Sequence, residues 1–129
     1  MTSTLLVRKF IITLIFVSFC KVALSENVTD DKTISSDSTT QQVFTADDIT
    51  LTISSNATLS RSQKPIVTDN RSDVTVTINE GSEVFTTSGD NAIVGKSSTN
   101  LTVNNSGTIY SADAKAISFR QSSGANVHK

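Results

Sequence analysis

The sequence predicts an all-β fold, a right-handed parallel β-helix (solenoid) of about three to four 25-residue coils, on three observations. The first is self-similarity. The pattern of residues 101–109 occurs 25 residues earlier at 76–84 and 25 earlier again at 51–59. The second is the period inside the repeat. Ile49-Thr50-Leu51-Thr52-Ile53 and Val74-Thr75-Val76-Thr77-Ile78 alternate apolar and hydroxyl side chains, as a strand does with one face buried and one wet, and β-branched residues suit a pleated surface. The third is the polar run after each strand: Ser54-Ser55-Asn56, Asn79-Glu80-Gly81 and Asn104-Asn105-Ser106. Asn and Gly tolerate the left-handed backbone of a sharp corner. One copy has too few apolar residues to enclose a core, so copies must stack to bury them. An antiparallel sandwich gives no reason for one spacing to hold through three columns.

The spacing assigns positions. Leu51, Val76 and Leu101 form one inward column, Ile53, Ile78 and Val103 a second, and Leu59, Val84 and Ile109 a third. Ile49 and Val74 begin a fourth that lapses at Thr99, while Thr52, Thr77 and Thr102 point outward. The later half of each copy is looser. Ala92-Ile93-Val94 answers Ala116-Ile117-Ser118 at a spacing of 24, Ile66-Val67 matches at 26 or 27, and residues 61–65, 86–90 and 111–113 read as loops. The coils run 49–73, 74–98 and 99–124, with the start of another at 125–129, where Val127 and His128 fall.

From the N-terminus, Arg8 and Lys9 precede a ten-residue apolar run at 10–19, and Ala23-Leu24-Ser25 supplies small residues at the positions a signal peptidase reads. Residues 1–25 are therefore expected to be a signal peptide, cleaved between Ser25 and Glu26. A membrane anchor needs about 20 apolar residues, and Lys21 interrupts any extension, so no span is expected in the mature chain. Residues 26–48 are polar and read as a leader or as a degenerate capping coil. In the second reading Val28 lies 25 residues before Ile53, and Ile34 lies 25 before Leu59.

Removing residues 1–25 removes Cys20, the one cysteine. It also removes three of the 11 basic residues, leaving eight against 12 acidic and a formal charge of −4, where the whole chain has −1. An acidic chain with no Trp and one Tyr lacks the basic face and stacking aromatics that a nucleic-acid partner calls for.

The run Asn100-Leu-Thr-Val-Asn-Asn-Ser-Gly-Thr-Ile109, followed by Ala116-Ile117, resembles the repeats of bacterial autotransporter passenger domains. The resemblance covers residues 49–119 well and 28–44 weakly. It implies a Gram-negative surface, periplasmic or secreted protein whose β-helix serves as a stalk or adhesive rod, with a host surface protein or glycan as partner. Autotransporters also carry a C-terminal translocator barrel whose long alternating strands have no counterpart here. The expectation is a remnant or N-terminal fragment, with self-association through an open coil edge as a further partner mode.

Chemistry is sparse. The repeat aligns Asp48 with Asp73, the best catalytic or calcium-binding candidate, although Asp at a turn also favours the corner by bonding its own backbone. Asp90 and Asp113 sit in corresponding loops, out of register by one. His128 is the one histidine, and a zinc site needs three or four ligands. Glycosylation-type triplets begin at Asn27, Asn56, Asn70, Asn100 and Asn104. The expectation is a non-enzymatic protein with no catalytic, cofactor-binding or metal residues. The rivals are a carbohydrate-active β-helix enzyme and a self-associating secreted matrix protein.

Overall fold

The computed structural model describes residues 24–129, so the expected signal peptide, apart from Leu24 and Ser25, lies outside the described residues. The strands run coil by coil. The first coil holds β1 (Ser25–Val28) and β2 (Lys32–Ile34), and the second holds β3 (Gln41–Phe44), β4 (Thr50–Ile53) and β5 (Thr58–Arg61). The third has β6 (Ile66–Val67), β7 (Thr75–Ile78) and β8 (Glu83–Thr86), and the fourth has β9 (Ile93–Lys96), β10 (Thr102–Asn105) and β11 (Thr108–Ser111). β12 (Ile117–Arg120) and β13 (Asn126–His128) begin a fifth. Each strand pairs in parallel with its equivalents one coil away, giving three flat faces. The first face is β1-β3-β6-β9-β12, the second β2-β4-β7-β10-β13, and the third β5-β8-β11, extended by a parallel bridge from Ser38 to Leu59. No helix occurs among the described residues. The all-β parallel solenoid is thus the fold that the repeat implied.

The alternation explains the core. In β4 and β7 every second residue is buried, which places Leu51, Ile53, Val76 and Ile78 inside and the threonines between them on the second face's outer side. Leu59 and Val84 enter from the third face and Ile66 and Ile93 from the first, all fully buried. Burying an aliphatic side chain of this size contributes about 1.5–3 kcal/mol, and the stacking of like on like leaves little space between coils. The ladder ends on partly buried Ile109, Ile117 and Phe119.

The register departs from a uniform 25-residue repeat in the fourth coil. β7 and β10 align Thr75 with Thr102 and Val76 with Val103, a spacing of 27. The inward column is therefore Leu51–Val76–Val103, and Leu101 continues the Ile49–Val74 column that the sequence spacing had ending at Thr99. Asn105 takes the place above Ile53 and Ile78, and Asn104, rather than Thr102, stands above Thr52 and Thr77. Leu101 and Val103 remain buried because a shift of two residues preserves the face of a strand.

The first coil is also shorter than 25. Val28 pairs with Phe44, and Ile34 pairs with Ile53, so neither aligns as the 25-residue frame had it. Residues 26–48 form strands of the solenoid, and polar groups close its N-terminal end. Lys32 Nζ makes an ion pair with Glu26 and donates a 2.8 Å hydrogen bond to Oε1 of fully buried Gln42, whose Nε2 in turn donates to Glu26. The Lys32 hydrogen bond and charge hold the Glu26 carboxyl below its ordinary 4.5.

The three connections differ in regularity. Second face to third takes six or eight residues: Lys32 to Ser38, Leu51 to Leu59, Val76 to Val84, and Val103 to Ile109. First face to second takes ten in the last three cases, Ile66 to Val76, Ile93 to Val103 and Ile117 to Val127. Third face to first is irregular, at four, seven, nine and eight residues from Ser38 to Gln42, Leu59 to Ile66, Val84 to Ile93 and Ile109 to Ile117. In the fourth coil the shortened corner requires Gly107, because a Cβ there would lie 2.4 Å from the Ser82 carbonyl and 2.6 Å from that of Asn79.

Candidate functional site

The acidic residues singled out by the repeat lie at the corner between the first and second faces. The chain turns there through left-handed residues. Asp48, Asp73 and Asn100 have φ of 55°, 56° and 52°, with Gly124 at 63° in the next coil. A second left-handed position precedes it at Asn70, Ser97 and Gln121. Asp and Asn suit this conformation because their short polar side chains bond locally. Stacked corners share backbone hydrogen bonds: Asp48 N–H donates to Ser72 O, Asp73 N–H to Thr99 O, and Asn100 N–H to Ser123 O.

Three carboxylates at this corner are structural acceptors. Asp73 Oδ1 accepts from Asn100 Nδ2 at 2.9 Å, Asp47 Oδ1 from the Ser72 N–H at 2.9 Å, and Asp69 Oδ1 from the Lys96 N–H at 2.8 Å. Arg71 lies 3.7 Å from Asp47 and donates to the Thr45 carbonyl. Inside the same corner runs a hydroxyl ladder. Ser98 Oγ donates to Thr68 O at 2.6 Å, and Ser122 Oγ donates to Gly95 O while accepting from the Ser98 N–H. Asp48 and Asp73 thus occupy one column, as their alignment implied, and of the two it is the Asp73 carboxylate that engages the neighbouring coil. Among the described residues no three His, Cys, Asp or Glu side chains converge as metal ligands would.

Asp90 and Asp113 sit beyond the third face. The Asp90 carbonyl accepts from the Thr86 and Ser111 hydroxyls, each at 2.8 Å. Thr86 and Ser111 are the last residues of β8 and β11 and are buried, so the loops expected at 86–90 and 111–113 start one residue later than the spacing suggested. Asp113 lines an open concavity of about 370 Å³ with Asn91, Lys115, Ser118 and Arg120, one acid facing two cations. His128 is exposed on β13, paired in register with Asn104. Of the glycosylation-type asparagines, Asn100 has its amide nitrogen engaged by Asp73, and Asn56 and Asn70 are left-handed corner residues.

Ser25 and Glu26, the expected cleavage junction, lie in β1 opposite Gln41 and Gln42. The Leu24 carbonyl just before them accepts from the Gln41 N–H at 3.0 Å and from the Arg61 guanidinium at 3.3 Å.

Two groupings escaped the sequence reading. The Glu26–Lys32–Gln42 cluster had no periodic signal, since the first coil does not follow the common spacing. The outward pair Phe85 and Tyr110 did have one: the two aromatics are 25 residues apart and face each other across β8 and β11. No known protein family matches the chain, and no curated protein and no solved structure matches it either.

Proposed function

We propose that this chain is an exported, non-enzymatic β-helix segment of the autotransporter-passenger type, acting at the surface of a Gram-negative cell as a stalk or adhesive rod toward a host protein or glycan. The observation that carries the reading is the use made of the acids. Asp47, Asp69 and Asp73 are spent on joining one coil to the next, where a β-helix hydrolase or lyase needs carboxylates free to converge on a substrate. Support also comes from the outer columns of the second face, where Thr50, Thr75 and Thr102 stack with Thr52, Thr77 and Asn104 into a flat hydroxyl and amide surface.

The test expresses the full chain in a Gram-negative host, fractionates the cells and reads the N-terminus by mass spectrometry. The expected product begins at Glu26, lies outside the cytoplasm and cleaves no polysaccharide. An intact cytoplasmic chain would remove the export reading. Saccharide cleavage that disappears in Asp73→Asn would replace the rod with an enzyme.

A further inference from the structure

The geometry points to a binding site for amino sugars with free ammonium groups on the outer side of the third face. It deepens the adhesive reading above and rests on it. β8 and β11 pair so that Glu83 lies opposite Thr108 and Phe85 opposite Tyr110, with all four side chains on the outward side because Val84 and Ile109 between them point in. These four residues line an open concavity of about 280 Å³. Tyr110, on the edge strand of this face, is 54 % exposed. One coil earlier the same columns hold Thr58 and Ser60, so the rings stand beside low hydroxyl-bearing neighbours rather than beneath other bulky groups.

The lining selects the ligand. Two aromatic side chains one strand spacing apart offer a platform for a flat C–H-rich face, which a pyranose ring presents. Glu83 is acceptor-only when ionised and is the one charge in the lining, while Thr108 and the Tyr110 hydroxyl both donate and accept. An alkyl chain satisfies the rings and leaves Glu83 without a partner. A uronic acid is repelled by it. A neutral hexose satisfies the rings and hydroxyls but leaves the charge unanswered. A hexosamine bearing –NH₃⁺ answers both, with its ammonium against Glu83 and its ring over Phe85 and Tyr110, where attraction between a cation and an aromatic face adds to the contact. Because the site is shallow and strand columns continue along the axis, it suits an oligomer that contacts successive coils.

The experiment titrates the full chain with glucosamine tetramer, its fully N-acetylated form, cellotetraose and a galacturonate tetramer, reading binding by calorimetry or NMR line shifts. The expected order places the free-amine tetramer first, with Tyr110→Ala and Phe85→Ala each weakening it roughly three- to tenfold and Glu83→Gln removing the preference over the acetylated form. Asp30→Asn, which removes an exposed acid between β1 and β2, should leave binding unchanged. Circular dichroism of each variant establishes that the solenoid is intact. Equal binding of cellotetraose would overturn the choice of ligand. Binding that survives Tyr110→Ala would reduce the effect to attraction of a polycation by an acidic chain, and binding of none of the four would overturn the site. Any of these failures leaves the export and cleavage readouts unchanged, so the site can fail while the adhesive rod stands.

Discussion

Val103 shows what a single position carries. It continues the column above Leu51 and Val76, is almost fully buried, and stands beneath Val127. Val103→Asp puts an unpaired charge into that column, and a cost on the order of 4 kcal/mol is expected. This is a large share of the stability of a small domain. The expected outcome is loss of cooperative melting and of the β-type circular dichroism. A native-like melt would show that the inward register is wrong. Thr77→Ser, on the outer column, should shift the midpoint little, since the hydroxyl remains and the site faces water. The apolar identity of these positions was legible from alternation alone. Their partners were not, because a two-residue slip leaves every side chain on the same face and so leaves no mark in the pattern.

At the scale of the element, the corners decide where strands stop. The ten-residue corners each use two left-handed residues, and the nine-residue passage from Gln42 to Leu51 has one, at Asp48. The sequence announced such corners through Asn, Asp and Gly. It did not reveal that Asp73 serves the coil above through Asn100, because that contact joins residues 27 apart and follows from stacking. The fourth-coil corner gives the sharper test. Gly107 passes within van der Waals contact of two carbonyls of the coil below, and backbone oxygens cannot swing aside as the end of a long side chain can. Gly107→Ala is expected to cost roughly 1–3 kcal/mol and to loosen β10 and β11 first, read as faster hydrogen exchange in Thr102–Asn105 and Thr108–Ser111 than in β4 and β7. Unchanged exchange in these strands would mean that the corner is wider than described.

Across the whole molecule, each coil touches its neighbours above and below, so stability is close to a sum of coil and interface contributions. The middle coils hold most of the fully buried aliphatics, while the first coil adds an ionic group to buried Val28 and Ile34. That group makes the N-terminal end sensitive to acid. The Glu26 carboxyl is held below its ordinary 4.5 by Lys32, so its contribution is fully present above that value and is lost as pH falls through the lowered one. Half the Glu26 side chain faces solvent, and the effect is correspondingly modest. Wild type should melt above Glu26→Gln near neutrality, with the gap closing at pH well below 4.5. A gap that widens in acid would reject the arrangement. Coil stacking was legible because it must repeat, whereas the closing of an end need not repeat and left nothing for periodicity to find.

The unequal regularity of the three connections has a consequence for how such a chain can be lengthened. Between the second and third faces the spacing is six or eight and never seven, because a tight corner transmits any odd change as a flip of the next strand. Between the third and first faces it takes four, seven, eight and nine, so that span absorbs odd and even changes alike. Foreign peptides grafted at Gly89, which has nothing within 4 Å of where a side chain would begin, should therefore leave the rod intact, whereas one extra residue between Val76 and Val84 should turn β8 inside out. The solenoid is in this sense a backbone with one permissive seam running its length, open to ornament, and one seam that admits change in pairs.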